Sequence, residues 1–269
     1  MSETPSLLTS LAPTAFHPDS IALFLDFDGT LAPIAEHPDA VAVPPKTMKA
    51  LAALAEQVPL AILSGRPIHD LDRFLSPLML PAAGVHGLER RSADGTIHRV
   101  PIADDALEAV REALSPFVMK NPGLLLEHKP GSIALHFRKR PELAEACAEC
   151  VREATAAHGD ALTVVPGKMV LDIRAGAATK GDALRAFMNE APFVGRRAFF
   201  AGDDVTDEAA FSALQASDAI TVKIGPGETA ARYRCAGPET FAEWLMSLAR
   251  TMQSLERENE LTHGKSKGR

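Results

Sequence analysis

The sequence predicts an α/β protein in which a parallel sheet is interrupted by a smaller inserted α+β module. Short apolar runs alternate with amphipathic helical segments near both ends of the chain, and a pattern of paired strands lies between them. The 269 residues are enough for one core that carries an insertion.

Four segments in the first hundred residues predict the start of the parallel sheet. Ile21 to Phe27 is a nearly continuous apolar run, which is typical of a strand buried on both faces of a sheet. An amphipathic helix is predicted from Thr47 to Glu56, and buried strands from Pro59 to Leu63 and from Leu80 to Val85. The order strand, helix, strand indicates a parallel pair.

The last hundred residues repeat this alternation. Helices are predicted from Lys180 to Asn189 and from Asp207 to Leu214, and strands from Ala198 to Ala201 and from Ala219 to Ile224. The polar segment from Glu256 to Arg269 is predicted to fray or to remain disordered.

The middle of the chain predicts an antiparallel module in which a helix followed by a strand hairpin occurs twice. We place this module at residues 105–175 and the core at residues 1–104 and 176–269. The predicted elements of the module are helices near Asp104 to Met119 and Glu142 to Ala157, and strands near Leu124 to Glu127, Ile133 to Arg138, Leu162 to Val165 and Met169 to Ile173.

The composition excludes several classes of protein. Apolar residues make up 46% of the chain and charged residues 23%, which is ordinary for a globular protein. A net charge of -7 disfavours a nucleic-acid backbone as the main partner. No segment approaches the roughly 20 apolar residues of a membrane-spanning helix, and Met1 to Ser20 lacks the features of a signal peptide. We therefore expect a cytoplasmic protein without a membrane or nucleic-acid partner.

Two clusters of acidic residues follow predicted core strands. Asp26 and Asp28 stand at the end of the first strand, and Asp203, Asp204 and Asp207 follow a later one. Ligands of open parallel sheets bind at this edge, where paired carboxylates repel each other unless a cation or a proton intervenes. Hard oxygen ligands from two strand ends suit Mg²⁺. The competing interpretations are a simple turn for the first cluster and an acidic helix N-terminus for the second.

Two further motifs lie between the acidic clusters. Ser64-Gly65-Arg66 follows the second strand, and Thr179-Lys180-Gly181 precedes a late helix. A hydroxyl and a backbone N–H can hold a phosphoryl oxygen, and Lys180 can neutralise charge shared by a phosphate and an attacking carboxylate. Each motif alone is more often an ordinary turn or a solvated lysine, so their order along the chain carries the prediction.

The order Asp-x-Asp-Gly-Thr, Ser, Lys and Gly-Asp-Asp resembles the haloacid dehalogenase superfamily of phosphotransferases. The resemblance implies a Rossmann-like core with an inserted cap domain, and Asp26 as a nucleophile that forms an aspartyl-phosphate. Asp28 would protonate the leaving oxygen and later activate water. Mg²⁺ would be bound by Asp26, the main-chain carbonyl of Asp28, and Asp203. The other implied site residues are Lys180 as a catalytic group, Asp204 and Asp207 to orient water or Lys180, and Gly29, Thr30, Ser64, Gly65 and Arg66 around the phosphate.

Polar side chains in the inserted module predict that it selects the substrate. Alternation along the strand from Ile133 to Arg138 places Ala134, His136 and Arg138 on one face, so two basic groups share an exposed surface suited to line a lid.

Four motifs of the module resemble trehalose-6-phosphate phosphatases. They are Glu-x-Lys at 127–129, His-aromatic-Arg at 136–138, Gly-Lys at 167–168 and acid-x-Arg at 172–174, and the core segment 84–89 matches the same family. Asp172 stands where the family commonly has Glu, so its reach is about one methylene shorter. The implied substrate-binding residues are His86, Glu127, Lys129, Arg138, Lys168 and Asp172.

The resemblance implies Mg²⁺-dependent hydrolysis of trehalose-6-phosphate to trehalose and phosphate, with a functional link to a trehalose-6-phosphate synthase. Two alternatives stay open. The substrate could be another sugar phosphate such as sucrose-phosphate, or the chain could be a non-catalytic sensor that binds a phosphosugar. Every acid that the chemistry needs is present, which counts against the sensor.

Overall fold

The computed structural model describes residues 6–35, 37–100, 104–129, 131–167, 169–176 and 178–264. The chain divides into two compact units. Unit 1 comprises Met1–His98 and Thr179–Arg269, and unit 2 comprises Arg99–Ala178. The module predicted at residues 105–175 falls within unit 2.

Strands and helices alternate along unit 1, whereas helix and strand-hairpin segments follow one another in unit 2. The strands in the described residues are β1 Ser6–Leu7, β2 Ile21–Asp26, β3 Leu60–Leu63, β4 Ala82–Gly84, β5 Glu89–Arg91, β6 Ile97–Arg99, β7 Leu125–Lys129, β8 Ser132–His136, β9 Leu162–Gly167, β10 Val170–Ala175, β11 Arg197–Gly202, β12 Ile220–Ile224 and β13 Tyr233–Cys235. The helices are α1 Pro45–Ala55, α2 Ile68–Leu75, α3 Asp104–Lys120, α4 Ala144–Thr155, α5 Lys180–Met188, α6 Val205–Ala213 and α7 Pro238–Gly264.

The sheet of unit 1 has the strand order β1-β13-β12-β11-β2-β3-β4-β5-β6. The strands from β1 across to β4 are parallel, and β5 pairs antiparallel with β4. The chain moves outward from β2 in one direction through β3 and β4, and later in the other direction through β11 to β13. Because the order reverses between β2 and β11, their carboxyl ends form the position at which such sheets bind ligands.

Helices cover both faces of this sheet, as the side chains of β2 show. Leu23 and Leu25 belong to a buried cluster with residues of α1, α2 and α7, while Ala22 and Phe24 belong to a second cluster with residues of α5 and α6. Alternate residues of a strand point to opposite faces, so a strand covered on both sides must be apolar throughout. The predicted α/β core with an inserted α+β module is confirmed.

Unit 2 is an antiparallel sheet with the order β7-β8-β10-β9. Residues of α3 and α4 form a buried cluster with one face of this sheet, including Ile133 and Ile173. Glu127, Ala134 and Asp172 are paired across three strands, so they share a row on the other face.

Two predictions about local structure are wrong. β8 ends at His136, Phe137 is buried, and Arg138 lies in the following turn, so Arg138 does not share a strand face with His136. Of the segment predicted to fray, the part from Glu256 to Gly264 continues α7, since buried Leu248 and Met252 anchor the helix and neither Gly nor Pro interrupts it earlier. The rest of that prediction, residues 265–269, lies outside the described residues. No helix of the described residues is both long and apolar enough to cross a membrane.

Candidate active site

Two glycines leave room for carboxylates of the second acidic cluster at the ends of β2 and β11. A Cβ atom at Gly202 would lie 2.3 Å from Cγ of Asp207, and one at Gly29 would lie 2.0 Å from Oδ2 of Asp203. Gly29 also has a φ of +79°, which glycine adopts without strain. Neither position can accept a larger residue unless a carboxylate moves.

Lys180 joins the two acidic clusters. Its Nζ donates to Oδ1 of Asp26 at 2.6 Å and to Oδ1 of Asp207 at 2.8 Å, and all three side chains are buried. Lys180 is the first residue of α5, whose start is fixed by a reciprocal capping box between Thr179 and Asp182. Burial alone would lower the pKa of Lys180, but the Asp207 and Asp26 carboxylates raise it, so the ammonium group stays charged.

The acids of the site need more positive charge than Lys180 supplies. Burial, with Asp207 and Asp203 nearby, raises the pKa of Asp26 well above its ordinary value. Burial, with Asp207 and Asp204 nearby, raises the pKa of Asp203 to about 6. Both shifts show that ionised carboxylates are disfavoured here unless a cation compensates them.

The arrangement fits a divalent cation. Asp26, Asp203 and Asp207 each offer an oxygen, and these oxygens lie within 4.8 Å of one another. Oδ2 of Asp26 is buried and has no hydrogen-bond partner among the described residues. Hard carboxylate oxygens of this kind are the ligands that Mg²⁺ prefers, so the residues present fit the predicted cofactor.

The second acidic cluster divides its residues between helix capping and the site. Asp204 is the N-cap of α6: its side chain accepts the Val205 N–H at 2.7 Å, and its own N–H donates to Oδ2 of Asp207 at 3.0 Å. Asp204 is exposed, whereas Asp207 is fully buried. A helix-cap role thus accounts for Asp204, but capping alone does not explain Asp203 or the contact from Asp207 to Lys180.

The carboxylate of Asp28 is paired with Arg66. Nε and one terminal nitrogen of Arg66 donate to the two Asp28 oxygens at 2.6 and 2.8 Å. The guanidinium carbon also lies 4.9 Å from the ring centroid of Phe74 and 5.7 Å from that of Phe27. Bidentate pairing and stacking on aromatic rings hold the arginine in one orientation. Its predicted contact with phosphate stays a prediction.

The turn after β3 is held by the segment that follows β4. Oγ of Ser64 accepts the Arg66 N–H at 3.1 Å. The His86 N–H donates to the Ser64 carbonyl at 2.9 Å, and the Val85 N–H donates to the Arg66 carbonyl at 3.0 Å. The predicted phosphate-binding turn is therefore fixed by its neighbour in the sheet, as is required of a preorganised anion site.

The segment 85–87 has an unusual backbone. Val85, His86 and Gly87 have φ values of 47°, 57° and 111°. Positive φ at a β-branched residue costs on the order of 1–3 kcal/mol and persists where the surrounding structure imposes it. This backbone conformation places the His86 ring against Gly65, and a Cβ atom added to Gly65 would lie 2.6 Å from the ring. This conformation was not predicted from the sequence, in which Gly84 and Gly87 are the available signal.

Glu89 is a further supporting residue, to which the sequence motifs gave no role. Its Oε1 accepts the Ile68 N–H at 2.6 Å, at the start of α2, and would meet any Cβ added to Gly84. The side chain therefore connects the strained segment to the helix that follows Arg66.

The face of the unit 2 sheet that carries Glu127, Ala134 and Asp172, here called the polar face, has two carboxylates with basic partners. Nε2 of His136 lies 2.9 Å from Oε2 of Glu127, and Nε of Arg174 donates to Oδ2 of Asp172 at 2.6 Å. All four side chains are partly exposed. Of the remaining predicted sugar-binding residues, Lys129 ends β7 but its side chain is not among those described, Lys168 lies outside the described residues, and Arg138 is exposed in a turn.

The model of the family described as Trehalose-phosphatase matches residues 24–239. The chain belongs to the trehalose-phosphatase family. Among relatives in this family, it is 37% identical over 240 residues to a trehalose-6-phosphate phosphatase of Escherichia coli (strain K12), covering 88% of this chain and 90% of the relative. It is 34% identical over 249 residues to a trehalose-phosphate phosphatase of Mycobacterium tuberculosis (strain H37Rv), covering 86% and 62%. The predicted resemblance is confirmed.

A solved structure shows the same fold. The C-terminal domain of a Candida albicans trehalose-6-phosphate phosphatase superposes with a TM-score of 0.78, covering 92% of this chain and 98% of that domain. The two sequences are 22% identical, so this likeness concerns the architecture of the family.

Proposed function

We propose that the chain hydrolyses trehalose-6-phosphate to trehalose and inorganic phosphate, with Mg²⁺ as cofactor and an aspartyl-phosphate intermediate. The observation that carries this proposal is the buried contact from Lys180 to Asp26, beside Asp203 and Asp207, in a chain of the trehalose-phosphatase family. The cluster supplies a nucleophile and the positive charge that an attack on a phosphate dianion requires.

The proposed reaction has two displacements at phosphorus. A carboxylate oxygen of Asp26 forms a bond to phosphorus while the bond from phosphorus to the sugar oxygen breaks, and Asp28 gives a proton to that oxygen. Water then attacks phosphorus, Asp28 takes a proton from it, and the bond to Asp26 breaks, which releases phosphate. The bidentate contact from Arg66 holds the Asp28 carboxyl group in one orientation for these two proton transfers.

The remaining residues of the site stabilise charge and hold the phosphoryl group. Lys180 compensates the charge of Asp26 as the phosphate approaches, and the turn at Ser64 offers backbone and hydroxyl groups to phosphoryl oxygens. Asp26 and Asp203 would hold Mg²⁺, with the main-chain carbonyl of Asp28 as the further predicted ligand, and Asp207 would orient Lys180 beside them. Mg²⁺ when bound supplies the positive charge that offsets repulsion between carboxylate and phosphate.

We assign recognition of the sugar to the polar face of unit 2. Glu127 and Asp172 stand in one row on either side of the small residue Ala134, each with a basic partner. Paired carboxylates in fixed orientations are suitable acceptors for sugar hydroxyls. The contact from Arg174 holds Asp172 in place, although its side chain is shorter than the Glu common in the family.

The experiment is a measurement of phosphate release over a panel of sugar phosphates with Mg²⁺. Wild-type protein should prefer trehalose-6-phosphate, and Asp26→Asn should abolish release from every substrate. Labelled phosphate should be trapped on Asp26 in Asp28→Asn. Preference for another sugar phosphate would reject the substrate, whereas label on a different residue would reject the nucleophile.

A matched pair of variants tests the role of unit 2. Glu127→Ala should lower kcat/KM for trehalose-6-phosphate about ten- to a hundredfold, because a charge-assisted hydrogen bond contributes about 1.5–3 kcal/mol. Hydrolysis of 4-nitrophenyl phosphate should stay near the wild-type rate. Glu145→Ala, at an exposed position of α4, should leave the hydrolysis of both substrates unchanged. Equal losses on both substrates in Glu127→Ala would contradict the assignment.

A trehalose-6-phosphate synthase would supply the substrate of this reaction. We place the reaction in the cytoplasm, where charged sugar phosphates are retained. Cell fractionation with activity in the membrane-free supernatant is the expected result.

A further inference from the structure

Lys223 is a buried cation that the proposed mechanism does not use. It is the fourth residue of β12, and only 5% of it is exposed. An ammonium group removed from water is unfavourable unless hydrogen bonds and opposite charge compensate it. The otherwise mostly apolar strand Ile220–Ile224 contains this single charged residue, which is a signal that the sequence itself offers for a special role at this position.

The ammonium group of Lys223 contacts the loop that carries Asp203. Nζ donates a hydrogen bond to the main-chain carbonyl of Asp203 and lies 4.0 Å from Oε1 of Glu208. Glu208 is in the first turn of α6, and its Oε2 accepts the Ala230 N–H at 2.8 Å. Lys223 thus connects β12 to the loop and the helix that follow β11.

Asp203 belongs to neither of the elements beside it. β11 ends at Gly202, and α6 begins at Val205 after its N-cap residue Asp204. The orientation of Asp203 is therefore not set by a strand ladder or by helical hydrogen bonds. Gly202 is paired with Lys223 across the sheet, which places the lysine directly beside this loop.

We infer that Lys223 is a positioning residue for the divalent cation, because it holds the Asp203 carbonyl and so orients the Asp203 carboxylate toward the other acids. This inference rests on the proposed Mg²⁺-dependent function. Mg²⁺ requires nearly ideal octahedral geometry, so a rotation of one ligand weakens its binding. Residues that orient metal ligands typically change metal affinity about 10- to 100-fold when they are replaced.

A role of Lys223 through its charge and a role in positioning Asp203 predict opposite changes in Mg²⁺ affinity when Lys223 is replaced. The loss of a positive charge that contacts the Asp203 loop would strengthen the attraction of the acidic site for Mg²⁺. Release of the Asp203 loop would weaken Mg²⁺ binding instead. The sign of the change in affinity therefore distinguishes a positioning residue from a residue that acts only through its charge.

The test is calorimetric titration of the metal-free full chain with Mg²⁺ alone. Lys223→Met keeps the length of the side chain and removes the hydrogen bond, and we expect its Kd for Mg²⁺ to rise about tenfold or more. Activity lost at low Mg²⁺ should return as Mg²⁺ is raised. Lys46→Met is the control, because Lys46 forms an exposed ion pair with Glu243 at 2.9 Å, and its Kd should match wild type.

Lys223→Arg keeps the positive charge but changes the shape of the side chain, so we expect this variant to bind Mg²⁺ more weakly as well. It serves as the test if Lys223→Met does not fold. Unchanged or tighter Mg²⁺ binding in either folded variant would overturn the inference. If wild-type protein binds Mg²⁺ and both variants bind it equally, the positioning role fails while the proposed function stands. If wild-type protein binds no Mg²⁺, both fail.

Discussion

At the scale of single residues, Asp28 depends on Arg66 for its orientation. The bidentate pair at 2.6 and 2.8 Å fixes the carboxylate plane, and the rings of Phe27 and Phe74 fix the guanidinium. A group that must give a proton to one oxygen and later accept one from water has to be held within hydrogen-bond reach of both. Arg66 therefore affects proton transfer through Asp28, in addition to any contact with phosphate.

Arg66→Met should lower the rate of hydrolysis more for substrates with a poor leaving group than for substrates with a good one. A displaced Asp28 protonates the leaving oxygen less effectively, which matters for phenyl phosphate and hardly at all for 4-nitrophenyl phosphate. We expect the loss of kcat/KM to be about tenfold larger for phenyl phosphate, a modest part of the roughly 10²–10⁴-fold contribution of general acid catalysis. Steady-state kinetics on the two substrates is the measurement. Losses of the same size on both would indicate a phosphate-binding role alone.

At the scale of elements, the site depends on the close approach of the β11–α6 loop and the start of α5. Asp207 in the first turn of α6 binds Lys180 at the first residue of α5, and Gly202 leaves the space that Asp207 occupies. The loop is short, because β11 ends at Gly202 and α6 begins at Val205. Any side chain at position 202 would therefore displace the buried carboxylate of Asp207.

Gly202→Ala should lower kcat about a hundredfold or more, because a shift of roughly 1 Å in a catalytic group has an effect of that size. The added methyl group would stand 2.3 Å from Cγ of Asp207 and displace it from Lys180. Gly237→Ala is the control, since among the described residues, apart from its two chain neighbours, nothing lies within 4 Å of a Cβ at that glycine. Activity and melting temperature are measured together. A Gly202→Ala protein as active as Gly237→Ala would refute the steric argument.

At the scale of the whole molecule, the two units have separate cores and separate chemistry. The three acids suited to a cation belong to unit 1, and the paired carboxylates of the polar strand face belong to unit 2. Unit 1 buries two hydrophobic clusters and unit 2 buries a third, so each unit can respond locally to a ligand.

Mg²⁺ should therefore slow amide hydrogen exchange around β2, β11 and α6 without a comparable effect in β8 and β10. A cation that binds only the folded state stabilises it by about 2.7 kcal/mol at a concentration one hundred times its Kd. This corresponds to roughly a hundredfold slower exchange where opening of unit 1 limits it. Exchange followed by mass spectrometry with and without Mg²⁺ is the measurement. Equal slowing in both units would contradict a response confined to unit 1.

Local patterns in the sequence determined the elements and the chemical class of the site. The apolar run at Ile21 to Phe27 predicted a strand covered on both faces, and the acids after it predicted a cation site, because burial and like-charge repulsion follow from residue type and spacing alone. The motif order also predicted the family.

Only the tertiary structure decided which distant partners the charged groups of the core site take. Arg66 and Asp28 are 38 positions apart, and Lys180 and Asp26 are 154 apart, so their contacts exist only once the strands have paired. The same holds for Lys223 beside Asp203, and for Arg138, which lies in a turn because β8 ends early. Periodicity reports which face of an element is buried, whereas a specific long-range contact depends on how those elements pack.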